Sequence, residues 1–254
     1  MNLAPTNTAQ QPNKHIATEV STSSKNAWLL RGFYLFLALS VAFVSWFAIY
    51  KPITVLPRIT LSPGYSFQDT AGESVTSEDF RAGITLYSFT YAGCEADRCP
   101  QSVAEIQQVY EVLNQNAPDD YAVSLVTISL DPEADNTAVL ADLKAGVKLA
   151  EDGPVAWHFL SSDALRTKSV VGGGFGMFYD KRPTAVDADD YFIRFEPRYV
   201  LVDGLGIIRA YYTDPVPDLD IIARDLDLVL AEARNSTGFA KLGYEAAHLF
   251  VCYP

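Results

Sequence analysis

The sequence predicts an α/β protein: a mixed β-sheet flanked by helices, carried behind one N-terminal transmembrane helix. Three observations lead there. Residues 32–50, GFYLFLALSVAFVSWFAIY, run 19 residues without a charge, which at about 1.5 Å rise per residue approaches the roughly 30 Å hydrocarbon core of a bilayer. Residues 83–147 alternate apolar, strand-like runs with runs of helical periodicity. Two adjacent β-prone runs, 198–203 and 207–212, then precede an amphipathic stretch, the pattern of a hairpin and a closing helix.

Residues 1–26 are rich in Thr, Ser, Asn, Gln and Ala without apolar periodicity, as expected of a disordered tail. Residues 27–50 form the anchor. A cleavable signal peptide has an apolar region of only about 7–15 residues, and the small-x-small triplet Ser40-Val41-Ala42 falls inside this run with more apolar residues after it. An uncleaved anchor is therefore expected. Trp28 and Trp46 stand near its ends, and Lys14, Lys25 and Arg31 precede the charge-free run 32–50 with only Glu19 opposing them. That bias places the amino end in the cytoplasm, although Lys51 and Arg58 just beyond the segment offset part of it.

Residues 51–63, with Pro52, Pro57 and Pro63, read as a linker. The domain proper is expected over 64–234. SFQDTAGESVT sets Asp69 to Gly72 between two short β-prone runs, and GITLYSFTY (83–91) is an apolar strand with both faces buried. After AGCEADRCP comes a helix whose apolar positions Val103, Ile106, Val109 or Tyr110, and Leu113 keep helical spacing. YAVSLVTISLDP (121–132) repeats the strand signal, and TAVLADLKAGV is a helix ending near Gly146. A short strand at 156–160, a short helix at 164–171, the hairpin across Gly204 and Gly206, and a helix over 217–233 with Leu219, Ile222, Leu226 and Val229 on one face complete it. Residues 235–254 form a helical tail. Strands, intervening helices, a hairpin and a closing helix describe a sheet covered on both faces in the thioredoxin-like manner.

Composition narrows the function. Lys and Arg total 19 against 31 Asp and Glu, a formal charge of -12, the reverse of the basic footprint of a nucleic-acid binder. Residues 51–254 alone carry 16 basic and 30 acidic side chains, a net -14. If the amino end is cytoplasmic, this acidic domain faces an oxidising compartment, where cysteines can cycle between thiol and disulfide.

Cys94 and Cys99 are the strongest chemical signal. They follow the expected central strand and precede a helix, where open α/β folds build their sites. Pro100 suits a first helical turn, which places Cys99 at or beside the N-cap and Cys94 in the loop before it. A thiol at a helix N-terminus tends towards thiolate, the form that attacks disulfides and binds soft metals such as Cu(I). A plain structural disulfide is the alternative.

The strings SFTYAGCEADRCP, TISLDPEADN, FGMFYD and RYVLVDGLGIIRAYY resemble, in order and spacing over roughly residues 64–232, the SCO/SenC family. Its members are membrane-anchored, thioredoxin-like proteins that help assemble the copper centre of cytochrome c oxidase. The resemblance implies copper bound by Cys94 and Cys99 with a distant histidine. It also implies a cytochrome oxidase subunit or other copper protein as acceptor, a thioredoxin-like reductant, and a periplasmic or intermembrane-space domain. Two departures stand out. The family spacing is C-x3-C, whereas four residues separate Cys94 from Cys99; on a continuous helix this would turn the two about 140° apart instead of about 40°. The family histidine lies eight residues before the Asp of the next strand, and eight before Asp203 is Phe195.

Three histidines remain as substitutes. His15 lies in the expected cytoplasmic tail, and His158, in the apolar VAWHFL, reads as a core residue. His248 stands four residues before Cys252, a spacing that puts both on one helix face. One expectation is that the tail folds back so that His248, with Cys252, supplies the missing ligand; the other is a helix that merely docks. GGGFG (172–176) lacks the Lys-Ser or Lys-Thr of a phosphate loop and reads as a flexible turn. Asp187, Asp189 and Asp190 read as a solvated loop. Loss of the histidine leaves a second function open, thiol-disulfide exchange, which needs no such ligand.

Overall fold

The computed structural model describes residues 24–50, 53–94, 99–150, 152–184, 191–214 and 217–250. His15, Cys252, Asp187, Asp189 and Asp190 lie outside the described residues. The chain forms two units, Met1–Tyr50 and Lys51–Pro254.

The described residues of the first unit form one helix, α1 (Ser24–Tyr50). Its segment Ala27–Trp46, 20 residues, is long and apolar enough to cross a membrane. The Ser40 hydroxyl donates to the Phe36 carbonyl at 2.9 Å, so this polar group is satisfied within the helix.

The second unit opens with β1 (Thr60–Leu61) and a hairpin of β2 (Ser66–Gln68) and β3 (Ser74–Thr76), turning at Asp69–Gly72 as its sequence predicts. Next come β4 (Ile84–Thr90), α2 (Val103–Asn116), β5 (Val123–Ser129), α3 (Thr137–Ala145) and β6 (Val155–Leu160). The short α4 (Ala164–Thr167) leads to a second hairpin, β7 (Tyr179–Pro183) with β8 (Tyr191–Phe195). β9 (Tyr199–Val202), β10 (Ile207–Tyr212), α5 (Leu219–Arg234) and α6 (Gly238–Phe250) complete the chain. The main sheet has the order β1-β10-β9-β4-β5-β6. β4, β5 and β6 run parallel, while β9 is antiparallel to β4 and β10 to β9. This is the expected mixed sheet, and all seven residues of its central strand β4 are buried.

Side chains alternate across the sheet. Ile84 and Leu86 join Leu125, Trp157 and Leu201 beneath α2 and α5, which contribute Ile106, Leu113, Ile222 and Leu226. Tyr87 and Phe89 join Val126, Ile128 and Val200 on the other face. That second face is closed by the segment after α4 and by the two hairpins, through Phe67, Val171, Phe175, Ile193 and Phe195. Each fully buried side chain of this kind contributes about 1.5–3 kcal/mol.

Two local readings change. The helix expected over 164–171 ends at Thr167 and continues as a wider π-helical turn, Lys168–Gly174, in which the Phe175 amide donates to the Val170 carbonyl at 2.9 Å. Gly172, Gly173 and Gly174, expected in a flexible turn, thus belong to helix, while Gly176, at φ 67°, lies outside it; Gly174 lies so close to Pro63 that a Cβ would stand 2.4 Å from the proline ring. The hairpin of β7 and β8 has no counterpart in the sequence reading because β7, YDKRP, has no buried position to generate an apolar alternation.

Next to the two-residue edge strand β1, β10 pairs Ile208 with Val202 but Ala210 with Leu201, leaving Arg209 as a bulge. A bulge re-aims its side chain, and here it sends the guanidinium inward. The group donates to Asp203 Oδ2 (3.0 Å), Glu232 Oε2 (2.6 Å) and the carbonyls of Leu56 (2.7 Å) and Pro57 (3.1 Å). One side chain therefore ties together the linker, the β9–β10 turn and α5.

Candidate functional site

The end of β4 leads straight into the cysteine loop. The Cys94 amide donates to the Tyr91 carbonyl at 3.0 Å, closing a tight turn. Cys94 and Cys99 are each 8% exposed and are joined as a disulfide, with Cα atoms 5.1 Å apart. This lies within the usual 4.4–6.8 Å range for bridged cysteines, so the extra residue of the C-x4-C spacing does not keep the sulfurs apart. Both side chains belong to the same apolar layer as Tyr91, Phe175, Met177 and Phe195.

The helix begins later than the proline implies. α2 starts at Val103 with Ser102 as its N-cap: the Glu105 amide donates to Ser102 Oγ (3.4 Å), and Glu105 Oε2 accepts from the Ser102 amide (2.7 Å). Ser-x-x-Glu is a recognisable capping box, and it was the signal in the sequence for the true start. Cys99 therefore precedes the N-cap by three residues, and the helix dipole, which acts within about one turn, does not supply the expected thiolate stabilisation.

Other groups hold the loop instead. Gln101, fully buried, accepts from the Arg198 amide at 2.8 Å and donates to its carbonyl at 3.2 Å. Its own carbonyl accepts from the Thr90 hydroxyl at 2.8 Å and lies 3.3 Å from Cys94 Sγ, where it can receive the proton of a reduced thiol. Arg198 in turn donates to the carbonyls of Phe175 (3.1 Å) and Gly176 (2.8 Å). On the near side of the loop, buried Asp135 accepts from the Ala92 amide at 2.9 Å and the Ser129 hydroxyl at 2.6 Å. Burial pushes the Asp135 carboxyl above its usual range against those two bonds, and nearby Asp131 adds to the rise. No local pattern could have announced Asp135, whose partner Ala92 is 43 residues away.

A cavity of about 740 Å³ adjoins the loop, lined by Tyr91, Ala92, Gly93, Asp131, Asp135 and Tyr191 among others. The Tyr191 hydroxyl donates to Asp131 and Lys181 lies 3.1 Å from Glu133, so charged and aromatic groups from β5–α3 and β7–β8 meet beside the cysteines.

The histidines are elsewhere. Phe195, at the position where the family resemblance implies an imidazole, is buried in the layer that contains the cysteines. His158 pairs with Val126 on the edge strand β6, its ring 5.2 Å from that of Phe80, and burial together with Lys144 holds its pKa below the usual value. It is half-buried on an edge strand and not the core residue its apolar strand implies, and it stands apart from the cysteines.

His248 is not brought to the cysteine pair. Its Nε2 lies 2.9 Å from Glu232 Oε1, in the cluster that contains Arg209 and Asp203. Asp203 follows Val202, which pairs with Thr85 at the start of β4, whereas Cys94 follows its end. Along the strand that separation is about 20 Å at roughly 3.3 Å per residue. The helix thus docks, and the expected folding back of His248 onto the cysteines does not occur; Cys252 lies outside the described residues. Among the described residues no group of three or more His, Cys, Asp or Glu is arranged to hold a metal ion. What the site contains is a dithiol–disulfide couple which, reduced, presents two soft sulfur donors, with the Met177 thioether in the same layer. Such donors suit Cu(I).

Known proteins share this architecture. The SCO1/SenC family model matches residues 56–230. The SCO2-like protein RP587 of Rickettsia prowazekii is 30% identical over 158 residues, covering 62% of this chain and 72% of that protein. Among solved structures, Bradyrhizobium japonicum ScoI with copper bound is 25% identical, with a TM-score of 0.53 over 66% of this chain and 99% of that one. Arabidopsis thaliana ScoI with copper bound gives 18% and 0.55 over 68% and 99%. BsSco, a Sco-family cytochrome c oxidase assembly protein with a disulfide switch, gives 21% and 0.55 over 71% and 97%. The last two likenesses concern the fold.

Proposed function

Since the chain belongs to the SCO1/SenC family, we propose that it is a membrane-anchored copper chaperone for assembly of the cytochrome c oxidase copper centre. In its reduced form it takes Cu(I) on Cys94 and Cys99. The observation that carries this reading is the placement of both sulfurs together, at the end of the central strand, in a buried apolar layer. Burial keeps water from competing for a soft ion, and thiolates select Cu(I) over harder cations. Copper here is cargo, passed to an oxidase subunit or another copper protein. The copper-bound ScoI of B. japonicum supports this reading by analogy. We assign residues 27–50 of α1 as the anchor, residues 1–26 to the cytoplasm, and the acidic domain to the periplasm or intermembrane space, on the positive charges that precede the charge-free run 32–50.

A second reading is favoured by the closed disulfide and by Phe195. As a thiol-disulfide oxidoreductase, reduced Cys94–Cys99 would give two electrons and two protons to a partner disulfide through a mixed-disulfide intermediate, and a thioredoxin-like reductant would restore the dithiol. Titrating the reduced protein with Cu(I) against a competing chelator separates the two. Tight one-to-one binding supports the chaperone, and weak binding with a readily exchanged disulfide supports the oxidoreductase.

Phe195→His provides a companion test. If position 195 faces the bound ion, an imidazole there adds an inner ligand. Cu(I) affinity should then rise by more than about tenfold, the low end of what even an outer ligand partner controls. An unchanged affinity would show that this strand does not address the metal.

A further inference from the structure

α6 is amphipathic in the wrong sense for a helix on the surface of a soluble domain. Two of its polar residues turn towards the protein: Glu245 accepts from Arg58 at 3.1 and 3.2 Å, and His248 meets Glu232 at 2.9 Å. Three of its large apolar residues turn outward, with Phe239 93% exposed, Leu242 66% and Leu249 78%, while the small Ala247 is buried. Positions 239, 242 and 249 recur at intervals of three and seven, so they form one stripe along the helix. In water this arrangement exposes the side chains whose burial normally stabilises a helix. It is stable where the outer surroundings are apolar.

Covalent connection identifies those surroundings. Gly243 of α6 approaches the side chain of Ile53 so closely that a Cβ on it would stand 2.8 Å from Ile53 Cδ1. Ile53 is three residues beyond Tyr50, the last residue of α1, and three residues reach at most about 11 Å. The middle of α6 is therefore tethered, by covalent reach alone, near the point where the chain leaves α1. α6 also lies beyond residue 230, where the match to the family model ends. Lys241, exposed on the flank of the stripe, is a side chain that can reach to the headgroup level while its stem lies on apolar surface.

We infer that α6 lies in the membrane interface, with Phe239, Leu242 and Leu249 inserted at the boundary between headgroups and acyl chains, and that it docks the domain on the bilayer. Helices with one apolar and one polar face occupy this position. The inference rests on α1 being the anchor. It places the cysteine pair at the end of β4 remote from α6, so a copper acceptor is met on the side of the domain that faces away from the lipid.

The test uses the full chain in phosphatidylcholine vesicles, with Cys252→Ser and the Cys94–Cys99 disulfide left oxidised. A nitroxide is attached in turn through Leu242→Cys, Glu73→Cys on the β2–β3 turn, or Leu39→Cys in α1, and its collisions with oxygen and with a neutral nickel chelate are measured. At position 242 the ratio of oxygen to nickel collisions is expected to exceed that at position 73 by several-fold. Equal ratios at 242 and 73, with position 39 in lipid, would overturn the inference and leave the anchor standing. A water-like position 39 would overturn both. Shielding of position 242 from both reagents would assign the stripe to another copy of the chain and overturn the lipid contact.

Discussion

Replacing Cys94 and Cys99 together with serine is expected to abolish one-to-one Cu(I) binding and the disulfide couple while leaving the domain folded. Loss of an outer partner of a metal ligand costs roughly 10–100-fold in affinity, and exchanging both soft sulfurs for hard hydroxyls should cost more than that. The fold should survive because the bridge closes only a short loop, the cysteines being five positions apart. A loop this short constrains the unfolded chain by about 2 kcal/mol, or a fall of about 4–8 °C in the thermal midpoint for a domain of this size. A serine hydroxyl at position 94 can still donate to the Gln101 carbonyl, which lies 3.3 Å from Cys94 Sγ in the native chain. Circular dichroism checks the fold and a chelator competition the copper. Tight binding retained by a folded double variant would place the donors elsewhere and refute the cysteine site.

Arg209→Ala should have the largest effect on stability. Arg209 is among the largest fully buried side chains, and its guanidinium is the partner of two carboxylates, Asp203 and Glu232, that are themselves mostly buried. Removing one partner of a buried ion pair leaves charge without compensation and costs about 3–5 kcal/mol. The thermal midpoint should drop by about 10 °C. Arg209→Lys should recover only part of this, because an ammonium cannot reproduce the fork that reaches both carboxylates and two carbonyls.

The same cluster sets an acid dependence. Burial alone would push Glu232 up, but its hydrogen bonds from Arg209, His248 and Arg58 outweigh that and hold its pKa at about 2. The folded pKa lies below the unfolded value, so the stabilisation is fully present above about pH 4.5 and is lost as pH falls towards 2. Thermal melts between pH 2 and 7 should show this loss in the native protein and a much smaller one in Glu232→Gln.

Much of the domain was legible from the chain. The run at 83–91 has no polar face, which only a strand covered on both sides tolerates, and β4 is that strand. The spacing of Ile106, Val109, Tyr110 and Leu113 marked the buried face of α2, and all four are buried. The proximity of Cys94 and Cys99 at the end of β4 was likewise open to sequence reading, because strand, loop and helix are consecutive there. The hairpin of β7 and β8 was not, since its outer strand has no buried face and leaves no period to detect.

The sequence by itself determined the elements, the central strand and the cysteine loop, because local periodicity, turn chemistry and chain adjacency operate within a few residues. The tertiary structure alone decided where distant groups go. It set Asp135 beneath Ala92, clamped Gln101 onto Arg198, and turned the bulged Arg209 inward to two carboxylates. It also took His248 away from the cysteines to Glu232 and left the apolar stripe of α6 facing outward. These placements depend on sheet order and on compensation of buried charge, and both arise only when segments far apart in the chain pack together.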